Sequence, residues 1–314
     1  QSEILRMSGN MRDNRGRVKH LNTRERFVRT LTGQEVDRVP FMKVFGVTNQ
    51  INPQWELEYP GISGCIDELI GFEGVYRGWQ ITPVNMLLSN MGKTEILEDS
   101  AEKTIRRKGD GTVEIIKKGD KNNFSHILEW PVKSLKDWYI IKEKHLQADD
   151  PNRFPSQWQD YVERYKNRDY PLQLTHGGVY GFARNMMGDE NLAYAFYDDP
   201  KLVHDIMDTY TDMCINIWSK MVSDIQFDLI ECWEDMAFNS GALISPALFR
   251  EFMKPNYLKI KRFADENNIK IILVDSDGYI EKLTELMLES GVNCMYPYEV
   301  QAGNGARKVL DTHR

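Results

Sequence analysis

IILVDSDGYI, residues 271–280, decides how the rest of the chain is read. Ile271–Val274 are four consecutive apolar residues and predict a strand buried on both faces. Asp275, Ser276, Asp277 and Gly278 follow, and a new helix is expected from about Tyr279. A parallel strand that runs into acids and a glycine before a helix is a βα junction, and barrels built of such units carry their active site at that strand end. Asp275 and Asp277 are two apart, so in an extended chain both carboxylates point the same way. Such a pair can bind a cation or share a proton. The plainer alternative is that Asp277 caps the next helix and Asp275 is a solvated loop acid.

Composition narrows the class. The 314 residues are 41% hydrophobic and 28% charged, which suits one large domain or a domain with an insertion. A net charge of −7 argues against a general nucleic-acid or anionic-membrane surface. Cys65, Cys214, Cys232 and Cys294 form no C-x-x-C pair, the pattern of a reduced cytoplasmic protein. No apolar run approaches a membrane span. The chain begins with Gln, which suggests a trimmed product or a fragment.

Residues 1–21 read as a mobile, basic arm. Asn22 with Glu25 fits a capping box, and the helix it opens stops at Gly33. Phe41–Phe45 is the expected first strand, Cys65–Phe72 a helix and Val84–Leu88 the start of another. Two β-prone runs around Gly109-Asp110-Gly111 predict a hairpin, so residues 94–130 form an antiparallel excursion. An insertion of hairpin and helices thus spans residues 94–169 within a domain covering 22–314. From Tyr170 the α/β alternation is plain. Pro171–Thr175 and Asp228–Trp233 read as strands, and Asp199-Pro200 opens a long amphipathic helix. Ser245 caps the next helix, which Pro255 breaks or restarts. Gly291 closes another helix before the strand Val292–Tyr296. About six strands can be placed, two short of a closed (β/α)8 TIM barrel.

Four segments carry a resemblance to a known family. LNTRERFVRTLTGQEVDRVPF from Leu21, WEDMAFNSGALISPALFREFMKPNY from Trp233, and VDSDGYIEKLTELMLESGVN with YPYEVQAG resemble the uroporphyrinogen decarboxylase superfamily in order. The resemblance implies a (β/α)8 barrel with its site at the strand C-termini. True decarboxylases of the superfamily carry an arginine motif, R-Q-A-G-R-Y, after strand one. Here Lys43 is followed by VFGVTNQINPQ, with no arginine to receive a polycarboxylate. The other branch comprises corrinoid-dependent methyltransferases, several of which hold zinc through His-x-Cys after strand five. Asp275 and Asp277 stand at those positions, which replaces soft ligands by oxygen donors.

The expected site therefore has Asp235 and His176 as catalytic residues, and Trp233, Glu234 and Tyr298 against substrate. Asp275, Asp277 and Glu299 are the candidates for a divalent metal, zinc or an oxygen-liganded ion. Glu231, Trp233 and Asp235 share one strand parity, and Glu234 has the other. The resemblance implies methyl transfer between a small methylated or methoxylated compound and a corrinoid supplied by a partner protein. Uroporphyrinogen decarboxylation is the alternative activity, and a truncated, non-catalytic binding protein the alternative class.

Overall fold

The computed structural model describes residues 16, 19–42, 53–73, 79–119 and 125–313. Most of the expected arm at 1–21 and most of the first strand at 41–45 lie outside them. The strands, in chain order, are β1 (Gln80–Ile81), β2 (Glu95–Asp99), β3 (Lys103–Arg107), β4 (Val113–Lys117), β5 (Ser125–Glu129), β6 (Leu172–His176), β7 (Leu229–Trp233), β8 (Ala237–Phe238), β9 (Gly241–Ala242), β10 (Ile271–Asp275) and β11 (Cys294–Tyr296). The α-helices are α1 (Thr23–Leu31), α2 (Pro53–Glu58), α3 (Ile66–Ile70), α4 (Leu135–His145), α5 (Trp158–Lys166), α6 (Val179–Met187), α7 (Asp189–Asp198), α8 (Pro200–Met221), α9 (Pro246–Leu248), α10 (Lys254–Glu266), α11 (Thr284–Glu289) and α12 (Ala306–Thr312).

The fold is α/β. Among the described residues one sheet has the order β1-β6-β7-β10-β11, with parallel pairing at both of its ends. It corresponds to part of a barrel of βα units. A separate antiparallel sheet, β2-β3-β4-β5, is the expected hairpin excursion, with Arg107 opposite Val113 across the turn.

The chain divides into two compact units. The first comprises residues 1–82, 159–174 and 225–229. Its α1 starts on the expected capping box, Asn22 accepting from the Glu25 amide and Glu25 from the Asn22 amide. Arg26 is buried there between Asp37 and Glu73; its hydrogen bond draws the Asp37 carboxyl below the usual range, and Glu73 is drawn down, against burial, by the Phe41 amide, Arg38 and Arg26.

The second unit comprises residues 83–158, 175–224 and 230–314. Its spine is α8, opened by Asp199 accepting from the Leu202 amide with Pro200 in the first turn. Its apolar face, from Leu202 through Tyr210 to Met221, is buried. Phe182 of α6 stacks on Tyr210, ring centroids 3.7 Å apart. No helix starts at Val84–Leu88. That segment is drawn instead onto the buried Arg153, whose guanidinium donates to the carbonyls of Asn85, Leu87, His145 and Gln147. Pro255 restarts the helix as expected: it lies in the first turn of α10, directly after a π turn at Phe249–Met253. Nor does a helix start at Tyr279: a single 3-10 turn, Glu281–Leu283, leads into α11, and Gly291 closes it with φ +90°. Among the described residues no helix is long and apolar enough to cross a membrane.

Candidate functional site

β10 reaches its end at Asp275, which is 3% exposed. Asp277 lies beyond Ser276 and is exposed. Ser276 is buried and locked on both sides. Its amide donates to the Tyr296 carbonyl at 2.9 Å, and its Oγ accepts from the Met236 amide at 3.1 Å. The neighbouring strand β7 ends at Trp233, and the chain turns sharply there. The amides of Glu234 and Asp235 both donate to the Asp275 carbonyl, at 2.8 and 3.3 Å. Asp235 has φ +44°, a left-handed conformation that costs a non-glycine residue about 1 kcal/mol.

These turns bring three carboxylates together. Asp235, Asp275 and Asp277 each offer an oxygen, all within 4.8 Å of one another. The Tyr296 hydroxyl donates to Asp275 Oδ2 at 2.8 Å, and the Asp277 amide approaches Asp235 Oδ1 at 3.4 Å. Burial, then repulsion from Asp235 and Glu299, raises the Asp277 carboxyl pKa above the usual range. Asp277 caps no helix: the turn that follows has Ile280 at its N-terminus and no side-chain cap.

Glu299 stands beside the trio rather than in it. Its Oε2 accepts from the Gly278 amide at 2.7 Å and so holds the loop that carries Asp277. Asn304, absent from the expected set, is the main clamp of that loop. Its amide donates to the carbonyls of Gly278 and Glu299, and its oxygen accepts from the Ile280 and Glu281 amides. An open pocket of about 610 Å³ is lined by Asp277, Gly278 and Glu299 on one side and Ala237–Ser240 on the other.

Two expected site residues turn inward, and their roles are corrected. His176 is 0% exposed, packed against the rings of Tyr210 and Trp218 at 4.9 and 5.9 Å. Burial brings its pKa down to about 3, so the ring is a neutral core residue with nothing to present to a ligand. It shares the parity of Leu172 and Leu174, both buried, and faces the helix layer with them.

Glu234 is also 0% exposed. Its carboxylate caps α6, accepting from the Val179 and Gly181 amides at 2.7 and 2.9 Å and from the Tyr257 hydroxyl. Burial raises its pKa, against the lowering effect of these donors. Tyr298 is half-buried and its hydroxyl bonds Thr284 on α11 at 3.0 Å. Trp233 remains 41% exposed, with the Arg184 guanidinium over its ring at 5.4 Å.

Gly178 and Gly181 allow α6 to meet the end of β7. A Cβ at Gly178 would lie 2.1 Å from the Trp233 carbonyl oxygen, and one at Gly181 2.3 Å from it. Gly181→Ala must therefore push the helix off the strand end. It is expected to cost about 1–3 kcal/mol, read from the denaturant midpoint.

With this geometry in view, comparison with known proteins is informative. The family model described as uroporphyrinogen decarboxylase (URO-D) matches residues 143–306, just over half of the chain. The chain belongs to the uroporphyrinogen decarboxylase family. The matched region contains β6, β7, β10 and β11, and with them all three clustered carboxylates of this family member. A search of curated proteins finds no match. Among solved structures, a methyltransferase from Methanosarcina mazei is similar with a TM-score of 0.57 at 18% identity, covering 93% of this chain and 80% of that one. At that identity the likeness is one of fold.

Proposed function

We propose that this family member is a methyltransferase, taking a methyl group from a small methylated or methoxylated compound and passing it to a corrinoid held by a partner protein. The observation that carries the reading is the convergence of Asp235, Asp275 and Asp277 at the ends of two adjacent strands. A porphyrinogen brings several carboxylates of its own, and a carboxylate-lined mouth repels it. A methyl ether makes the opposite demand. Its leaving oxygen must be protonated or bound to a cation, because an alkoxide or phenoxide leaves poorly at neutral pH.

Asp277 suits the proton-donor role. It lines the open pocket, and its pKa is raised, the direction that favours the protonated form a donor needs. As the methyl–oxygen bond breaks and the methyl passes to the reduced corrinoid, the Asp277 proton goes to the departing oxygen, and Asp277 regains a proton from solvent through the open pocket. The donor set is wholly carboxylate. Cys232 and Cys294 lie outside the trio with thiols whose pKa burial pushes up, so the zinc–thiolate arrangement of some relatives does not fit here. Asp235, Asp275 and Asp277 are instead the residues that would hold a hard divalent cation, whose chemistry is to polarise the leaving oxygen. The fold likeness to a methyltransferase supports the same reading.

The test is transfer itself. The purified protein, incubated with a reduced corrinoid protein and a panel of methoxylated and methylated compounds, should form methylcobamide, seen by its absorbance change. Absence of transfer in either direction across the panel, with coproporphyrinogen appearing from uroporphyrinogen, would reverse the assignment.

A further inference from the structure

Arg184 has no place in the chemistry above, yet it contacts a member of the acid trio directly. Its Nη1 donates to the Asp235 carbonyl at 2.5 Å, and its Nη2 lies 3.9 Å from Asp235 Oδ2. The Asp235 carboxylate is otherwise held loosely, its contact from the Asp277 amide being 3.4 Å long. Its direction is therefore set by the main chain, which sits in the left-handed region at φ +44°. Before it, the Asp235 amide donates to the Asp275 carbonyl. After it, one peptide is tied twice, its Met236 amide to Ser276 and its Asp235 carbonyl to Arg184.

The arginine is itself aimed. Its guanidinium lies over the Trp233 ring, and its side chain is 14% exposed. The helix that carries it is fixed against the strand end by the Glu234 cap and by the close approach at Gly178 and Gly181. A planar cation with several fixed donors can grip a carbonyl and stack on an indole at once, which lysine does less well.

We infer that Arg184 is a positioning residue: it holds the Asp235 main chain in the conformation that directs this carboxylate toward Asp275 and Asp277. Its effect on turnover rests on the methyl-transfer reading; its effect on geometry does not.

Crystal structures of Arg184→Met and Arg184→Lys test the geometry. In Arg184→Met, which keeps the apolar stem, residue 235 should leave the positive-φ region, and its carboxylate should move beyond the present 4.8 Å spacing. Arg184→Lys, with a donor and a charge, should largely restore both. If the methionine variant does not fold, Arg184→Gln, whose amide falls short of the carbonyl, should show the same displacement. An unchanged residue 235 in the variant that lacks the donor overturns the inference. In the transfer assay kcat should fall about a hundredfold with KM little changed, as for a misplaced but intact group. A displaced Asp235 with normal kcat also overturns the positioning role. A wild-type protein inactive in transfer sinks the methyl-transfer reading alone, since the structures still decide Arg184.

Discussion

Asp277→Asn is expected to lower methyl transfer by about 10²–10⁴-fold while leaving the folded protein at least as stable as wild type. The residue is exposed at the pocket and caps nothing, and its pKa is raised by partial desolvation of the carboxyl and by the Asp235 and Glu299 charges. A raised pKa means that the folded state holds this proton more tightly than the unfolded chain does. Stability is therefore lost as the pH rises from the ordinary aspartate range through the folded pKa. Above that range the ionised carboxylate is a liability, which the neutral amide removes.

Asp275→Asn should lose activity similarly and also stay folded, because the Tyr296 hydroxyl still finds an acceptor. Thermal midpoint and turnover per folded molecule, measured on both variants, decide the matter. Early melting with full turnover in the surviving fraction would make the acids structural and remove them from the site.

His176→Phe should flatten the acid limb of the stability curve. The wild-type ring is held neutral in the core, with its pKa brought down to about 3, whereas the unfolded chain titrates near the usual histidine value. Between those two values the unfolded state binds the extra proton, so stability falls as the pH is lowered through that window. From pH 7 to pH 5 this one residue accounts for a loss of about 2 kcal/mol. Phenylalanine fills the space between Tyr210 and Trp218 and has nothing to protonate. Urea denaturation of both proteins at the two pH values isolates the contribution, since every other titrating group is common to both. Equal losses in the two proteins would show that the ring is reached by solvent and is not a sealed core residue.

Much of the architecture was legible because it is local. Four apolar residues running into Asp275 announced β10, and the spacing of apolar positions after Asp199-Pro200 announced α8. Gly109-Asp110-Gly111 announced the hairpin, and Asn22 with Glu25 the start of α1. Each depends on residues within a turn or two of one another, where spacing and cap chemistry are decisive. The two-residue β1 left no such pattern, and a segment that reads as a helix start at Val84 is instead drawn onto Arg153.

The site divides along the same line. Composition and pattern determined that acids follow the strands β7 and β10 and that Asp275 and Asp277 stand where some relatives have His-x-Cys. Strand parity placed Asp235 with Glu231 and Trp233, but the strand ends at Trp233, and Asp235 reaches the trio through a left-handed turn. The same alternation, followed along β6, shows His176 turned to the helix layer with Leu172 and Leu174. Only the tertiary structure decided that Glu234 caps α6, that Asn304 clamps the loop after Asp277, and that Arg184 grips the Asp235 carbonyl. Those contacts join residues 26–53 positions apart. A buried charge or amide takes whichever distant partner the packed chain delivers to it, and local spacing carries no record of that choice.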